Sequence, residues 1–159
     1  MSEHNATIVW ERGEQPFLDK KYARAHEWRF DEGLVVPGSC PPSKMIPVPL
    51  AKPDAVDPEE ALVASLSACH MLFFLAFAAR EGFRVDSYVD EATGELGKNE
   101  RGKTWMSRIT LRPSVTFSGD KTPTPENCDE LHHRAHGECF IANSIRSEVV
   151  VAPPPATIV

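Results

Sequence analysis

Nineteen consecutive residues without a formal charge, Ala61–Ala79 (ALVASLSACHMLFFLAFAA), constrain the fold more than any other part of this chain. Such a run approaches the length that spans a bilayer. Ser65, Ser67 and His70 interrupt it, however, and Glu59, Glu60, Arg80 and Glu81 bracket it tightly, which argues against insertion. The better solution is a helix apolar on all sides, and such a helix belongs in the centre of a core. Asp57 at N-cap, Pro58 at N1 and Glu60 at N3 mark its start, and Gly82 stops it. With 159 residues the chain makes one domain of ordinary size and not two. So short a chain cannot easily cover such a helix completely, so a partner subunit is expected to cover part of it.

Around this helix the pattern alternates like strands. Thr7–Trp10 reads as a first strand and Tyr22–Phe30 as a second. Val85–Leu96 and Lys103–Ser118 read as two long strands joined by a polar, Gly-containing turn near Lys98–Gly102. Ile109, Leu111, Val115 and Phe117 fall on one face of the latter. A second helix is expected over Pro125–His136, with Thr124 at N-cap and Gly137 at C′, then a short turn in Cys139–Ser144 and a closing strand, Ile145–Val151. Residues 37–58 hold seven of the fourteen prolines and form a stiff, extended connection. The order reads as an α+β fold with an antiparallel sheet, in one domain over 1–159.

The charge balance, 17 Lys+Arg against 23 Asp+Glu, gives −6 with no basic run. That disfavours nucleic acid and anionic membrane surfaces as partners. The start, MSEHNATIVW, has neither a basic n-region nor an apolar h-region, so a cytoplasmic location is expected. In a reducing compartment Cys40, Cys69, Cys128 and Cys139 are reactive, metal-bound or plainly buried rather than a disulfide framework.

Cys69 lies mid-helix, where the helix dipole has faded, so ionising it needs a cation from elsewhere in the fold. In Tyr22–Phe30 the even positions gather Tyr22, Trp28 and Phe30 on one face, and Arg24 shares it. A covered guanidinium needs an anionic partner, unless it snorkels to water. Glu59 is the natural carboxylate, but ten residues of straight helix hold it roughly 15 Å from Cys69. Only a broken helix or a neighbouring subunit brings them together; otherwise Glu59 simply complements the helix N-terminus. Cys139 follows the end of the second helix, a better place for reactivity than mid-helix. Cys40 and Cys128 read as a loop thiol and a helix-face residue. Cys128, His132, His136 and Cys139 step along one stripe with zinc-type donors, and His70 or His26 could add to a site. One straight helix cannot close all four on a single ion.

Together these residues resemble the OsmC/Ohr family of osmotically inducible and organic hydroperoxide resistance proteins. The resemblance rests on DPEEALVASLSACH (57–70), on the Gly82-Phe83 helix end, on the long hairpin, and on a second cysteine before a short helix and final strand. It spans roughly residues 5–151. YARAHEWRF, CHMLFFLAFA and LHHRAHGECFIANS set the chain apart as a distinct OsmC-like branch, with CFIANS where members often read Cys-Pro-Val-Ser.

The resemblance implies an intertwined homodimer, with antiparallel sheets wrapped around two central helices, and a thiol peroxidase acting on organic hydroperoxides without a cofactor. By position Cys69 becomes the peroxidatic cysteine, Cys139 the resolving one and Glu59 the carboxylate. Arg24 takes the role of the family's N-terminal arginine, chosen by its strand face and not by a motif. A disulfide between Cys69 and Cys139 is reset by a dithiol reductant, lipoyl-type or other. Leu66, Phe73, Phe74 and Trp28 are expected to line an apolar pocket that favours organic over hydrogen peroxide. The alternatives are a non-catalytic stress-response or binding protein on the same fold, and a metal-binding hydrolase.

Overall fold

Asp57 and Glu60 close a reciprocal cap at the start of the central helix. The Glu60 amide donates to Asp57 Oδ1 at 2.8 Å and the Asp57 amide to Glu60 Oε2 at 3.3 Å. From this cap α1 runs unbroken over Pro58–Glu81, until Gly82 turns the chain at φ +78°. The structure, a computed structural model, describes residues 2–159. The chain forms two compact units, one ending at Ala61 and the other running Leu62–Val159. Helix α1 begins in the first and continues into the second.

In the first unit β1 (Ala6–Val9), β2 (His26–Phe30) and β3 (Val35–Gly38) form an antiparallel sheet in that order. Trp28 stands between Ile8 and Val36. On β2 the alternation holds: His26, Trp28 and Phe30 are half-buried, while Glu27 and Arg29 face water as an ion pair at 2.8 Å. The strand is shorter than its sequence pattern predicts. Tyr22–Ala25 lie outside it, because the Arg24 amide is taken by the Leu50 carbonyl at 2.7 Å instead of a ladder partner. Pro37 sits on edge strand β3, where a missing amide costs no interior ladder bond.

The second unit is built on one long hairpin that bends. Its arms are β4 (Arg84–Asp90) with β7 (Pro113–Ser118), and β5 (Thr93–Lys98) with β6 (Thr104–Leu111). Each of the two long strands expected from sequence is therefore two strands belonging to different sheets. Asp90 and Arg112 fix the bend: the Arg112 amide donates to Asp90 Oδ1 at 2.6 Å, and its guanidinium reaches Thr93 Oγ1 at 2.9 Å. Pro113 then starts β7 without an amide to donate.

Helix α2 (Pro125–Glu138) intervenes before the chain returns, and such a crossover permits parallel pairing. Thus β8 (Glu148–Val151) joins β6 and β9 (Thr157–Ile158) joins β7, both parallel. The expected α+β fold with antiparallel pairing is found in β1-β2-β3 and in both hairpin arms, while the parallel edges β8 and β9 make β4-β7-β9 and β5-β6-β8 mixed sheets.

Thr124 caps α2 as expected, in a box with Asn127. Gly137, expected past the C-terminus, lies within the last turn. The Asn143 side-chain amide donates to the carbonyls of Gly137 (2.8 Å) and Cys139 (3.0 Å), so this end needs no left-handed glycine. A short 3₁₀ turn follows at Ala142–Ser144.

The core is divided. Phe74, Phe77, Phe83, Val115, Phe117 and Leu131 make one cluster; Leu66, Ile109, Leu111 and Cys139 make the other. Ile109, Leu111, Val115 and Phe117 are all buried, but the bend at Arg112 sends the first pair and the second to different clusters. On α1, Ala64, Ala68, Leu72 and Ala76 remain exposed at four-residue spacing. Only 28% of the helix's most apolar stretch is buried, and by length and composition alone it could cross a membrane.

Candidate functional site

Two sulfurs meet in the smaller cluster. Cys139 is the C-cap of α2 and has no exposed surface. Leu66 is buried in the same cluster, and Cys69 and Phe73 pack against it from α1. The Cys69 side chain lies close enough to the Cys139 thiol to influence its ionisation. Burial first, and the neighbouring Cys69 thiol second, push the Cys139 thiol up to about 11, against the pull of the Ala142 and Ile141 amides. The Ala142 amide lies 3.4 Å from Cys139 Sγ, at the start of the 3₁₀ turn. Cys139 is thus held as a thiol at neutral pH. All four cysteines are free. Beside the pair, Phe140 is exposed and meets the Phe73 ring edge-on at 5.2 Å.

Phe74 does not join this group. It lies in the larger cluster, stacked on His132 with ring centroids 4.4 Å apart. There His70, the neighbour of Cys69 in sequence, turns inward on α1. Its Nε2 lies 3.1 Å from His132 Nδ1, and the rings stack at 5.4 Å. Burial, with His132 and His136 adding repulsion, lowers His70 to about 4 despite Asp90 nearby; burial alone lowers His132 to about 4. Both imidazoles are neutral at physiological pH, and one proton serves their bond.

This pair has a consequence for stability. In the unfolded chain both histidines take protons near pH 6.5, but when folded only near 4. Between those values the unfolded state binds more protons, so stability falls as pH falls; above about 6.5 the effect vanishes. Allowing for water access and for one proton blocking the other, we expect a loss of about 2 kcal/mol between pH 7 and 4.5. Denaturant titration of His132→Asn should show roughly half that loss. An identical pH profile in the variant would refute the role given to the pair.

In the first unit, Arg24 and Glu59 line one cleft of about 540 Å³, together with Trp10, Phe17, Tyr22 and Cys40. Among the described residues no carboxylate pairs with Arg24. Its guanidinium lies 3.6 Å over the Tyr22 ring and donates to the carbonyls of Tyr22 and Lys20. Arg24 precedes β2 and so does not share a strand face with Trp28 and Phe30. Trp28 is on that strand, and its indole donates to His26 Nε2 at 2.7 Å. Gly38 opposite has no room for a Cβ, which would lie 2.4 Å from that indole nitrogen.

Sequence reading offered His70 beside the stripe only as a further metal donor, not as the stacked, hydrogen-bonded partner of His132, and it missed the place of Cys40. The stripe Cys128–His132–His136 was visible, but nothing local reveals a partner 62 residues away. Among the described residues no three His, Cys, Asp or Glu side chains gather to hold an ion. His132 is turned to His70, and Cys139 to Cys69.

The family model for OsmC-like proteins matches residues 51–153. Among solved structures, an OsmC-like protein of unknown function from Vibrio cholerae is 49% identical, with a TM-score of 0.93, covering 97% of this chain and 100% of that one. An organic hydroperoxide resistance protein from Elizabethkingia anophelis is 19% identical, with a TM-score of 0.65 over 99% of this chain and 96% of its own. Another, from Bacillus subtilis, is 20% identical, with a TM-score of 0.58 over 99% and 98%. No curated protein matches the chain.

Proposed function

The chain belongs to the OsmC/Ohr family, and on that premise we propose that it is a cytoplasmic, homodimeric thiol peroxidase reducing organic hydroperoxides. The observation that carries the reading is that Cys69 and Cys139 are brought together in one apolar cluster. Two thiols in contact are what a peroxide needs for a two-electron reduction ending in a disulfide.

The Cys69 thiolate attacks the distal peroxide oxygen; the O–O bond breaks, the alkoxide takes a proton and leaves as alcohol, and Cys69 becomes a sulfenic acid. The Cys139 sulfur then displaces water from that sulfenic acid, giving a disulfide. A dithiol reductant opens it by two exchanges and is itself oxidised. A thiol held up to about 11 is a poor first nucleophile, which favours Cys139 as the resolving partner. Arg24 takes the role of the cation that ionises the attacking sulfur and steadies the leaving oxygen, and Glu59 orients it. With α1 unbroken, Glu59 stays about 15 Å from Cys69 along the axis. The carboxylate therefore comes from a second copy, and the exposed stripe Ala64, Ala68, Leu72, Ala76 supports that assembly.

Leu66 and Phe73 favour a substrate with an apolar group. Burying roughly 60 Å² of it contributes about 1.5 kcal/mol, so catalytic efficiency for cumene hydroperoxide should exceed that for hydrogen peroxide by at least about tenfold. Peroxide consumption with dihydrolipoamide or dithiothreitol measures this. Equal efficiencies would remove the substrate assignment, and background rates for both would favour a non-catalytic binding protein on this fold.

A further inference from the structure

A second cavity lies in the larger unit, apart from the two cysteines that meet. It is bounded by α2, β7 and the C-terminal segment, and measures about 410 Å³, within the range of small-molecule sites. We propose that it binds a neutral, largely apolar small molecule bearing one group that hydrogen-bonds to His132. This is independent of the peroxidase reading.

A void beside a packed core normally collapses. Here the walls resist collapse. Pro113, Pro123, Pro125 and Pro153–Pro155 all line the cavity, each with a fixed φ. The segment after the triple proline is tied down, since β9 pairs with β7 and the Val159 amide donates to the Phe117 carbonyl at 2.9 Å. The start of α2, which carries Pro125 and Cys128, is fixed by the Thr124–Asn127 cap. The space is preformed, and Phe74, Val115, Phe117 and Ile158 make its lining apolar.

The polar groups define the ligand. His132 lines the cavity, is 5% exposed and engages His70 through Nδ1, so Nε2 is the ring nitrogen that remains to meet a ligand. Because burial keeps this imidazole uncharged, it offers a hydrogen bond but no counter-ion. Among the described lining residues, Asp129 bears the single formal charge. An anionic ligand would meet that carboxylate with no cation to offset it, whereas a neutral aromatic amine, alcohol or ketone meets no such penalty. Cys128, half-buried in the wall, is a natural reporter.

The test uses the full chain and the neutral fluorophore N-phenyl-1-naphthylamine. We expect saturable binding of one equivalent per chain, weakened at least about tenfold by Ala156→Phe and by Cys128→Phe, which fill the cavity from two sides. In the wild type the fluorophore should slow N-ethylmaleimide labelling of Cys128, read by peptide mass spectrometry, a readout independent of any variant's folding. 8-Anilinonaphthalene-1-sulfonate, which adds a sulfonate to the same skeleton, should bind at least about tenfold more weakly. Absence of saturable binding, or binding unchanged in both variants with Cys128 unprotected, overturns the site. Equal affinity for the sulfonate overturns the ligand class.

Discussion

Cys69→Ser should abolish peroxide turnover, lowering the rate with tert-butyl hydroperoxide and a dithiol by at least about a thousandfold. A serine hydroxyl is not ionised at neutral pH and cannot carry a sulfenic acid, so no partial route survives through this position. The loss has to be chemical and not structural. Cys69 only packs against the edge of the cluster that buries Leu66 and Cys139, so the variant should unfold within about 1 kcal/mol of wild type. Cys139→Ser should behave differently: one equivalent of hydroperoxide is consumed per chain, and turnover then stops with Cys69 oxidised and drifting toward the sulfinic acid. Turnover persisting in Cys69→Ser would place the reactive sulfur elsewhere.

The largest stability effect falls on Phe74. Its ring has no exposed surface and lies between His132 at 4.4 Å, Tyr88 at 5.5 Å and Phe117 at 6.3 Å. Phe74→Ala removes these contacts beside a wall of stiff prolines that cannot move in to fill the gap. We expect a loss of about 4 kcal/mol, in the middle of the range for such truncations. Phe73→Ala, from a half-buried ring, should cost about half as much. Urea denaturation of both separates them, and a Phe74→Ala loss below about 1 kcal/mol would contradict its place in the core.

Most of the fold was legible where local chemistry and period agree. The Asp57–Glu60 cap, the Gly82 stop, the Thr124 cap and the hairpin turn near residues 98–102 all have short-range causes, and each is found. What escaped has long-range causes. The bend at Asp90 and Arg112 depends on a side chain gripping an amide 22 residues away, and nothing in the alternation of Lys103–Ser118 announces it. Parallel edges β8 and β9 depend on where the chain returns after α2. Phe74 was expected with Leu66 and Phe73 because all three are apolar residues of one helix; when a helix is apolar all round, its pattern cannot say which face meets which cluster. Arg24 was misplaced for a different reason. Aromatic residues at Tyr22, Trp28 and Phe30 continued a period of two through a segment that folds as a loop, in which Tyr22 stacks on Phe17 at 4.7 Å. The two cysteines, 70 positions apart, were linked by family resemblance alone.

The central claim is that these two sulfurs become one bond when a hydroperoxide arrives. Treating the reduced protein with one equivalent of tert-butyl hydroperoxide, blocking remaining thiols with iodoacetamide and mapping the peptides by mass spectrometry tests it directly. The account predicts a disulfide between Cys69 and Cys139 in nearly every chain, with Cys40 and Cys128 alkylated. Finding Cys139 alkylated, with Cys69 as a sulfinic acid or joined to another cysteine, would contradict it.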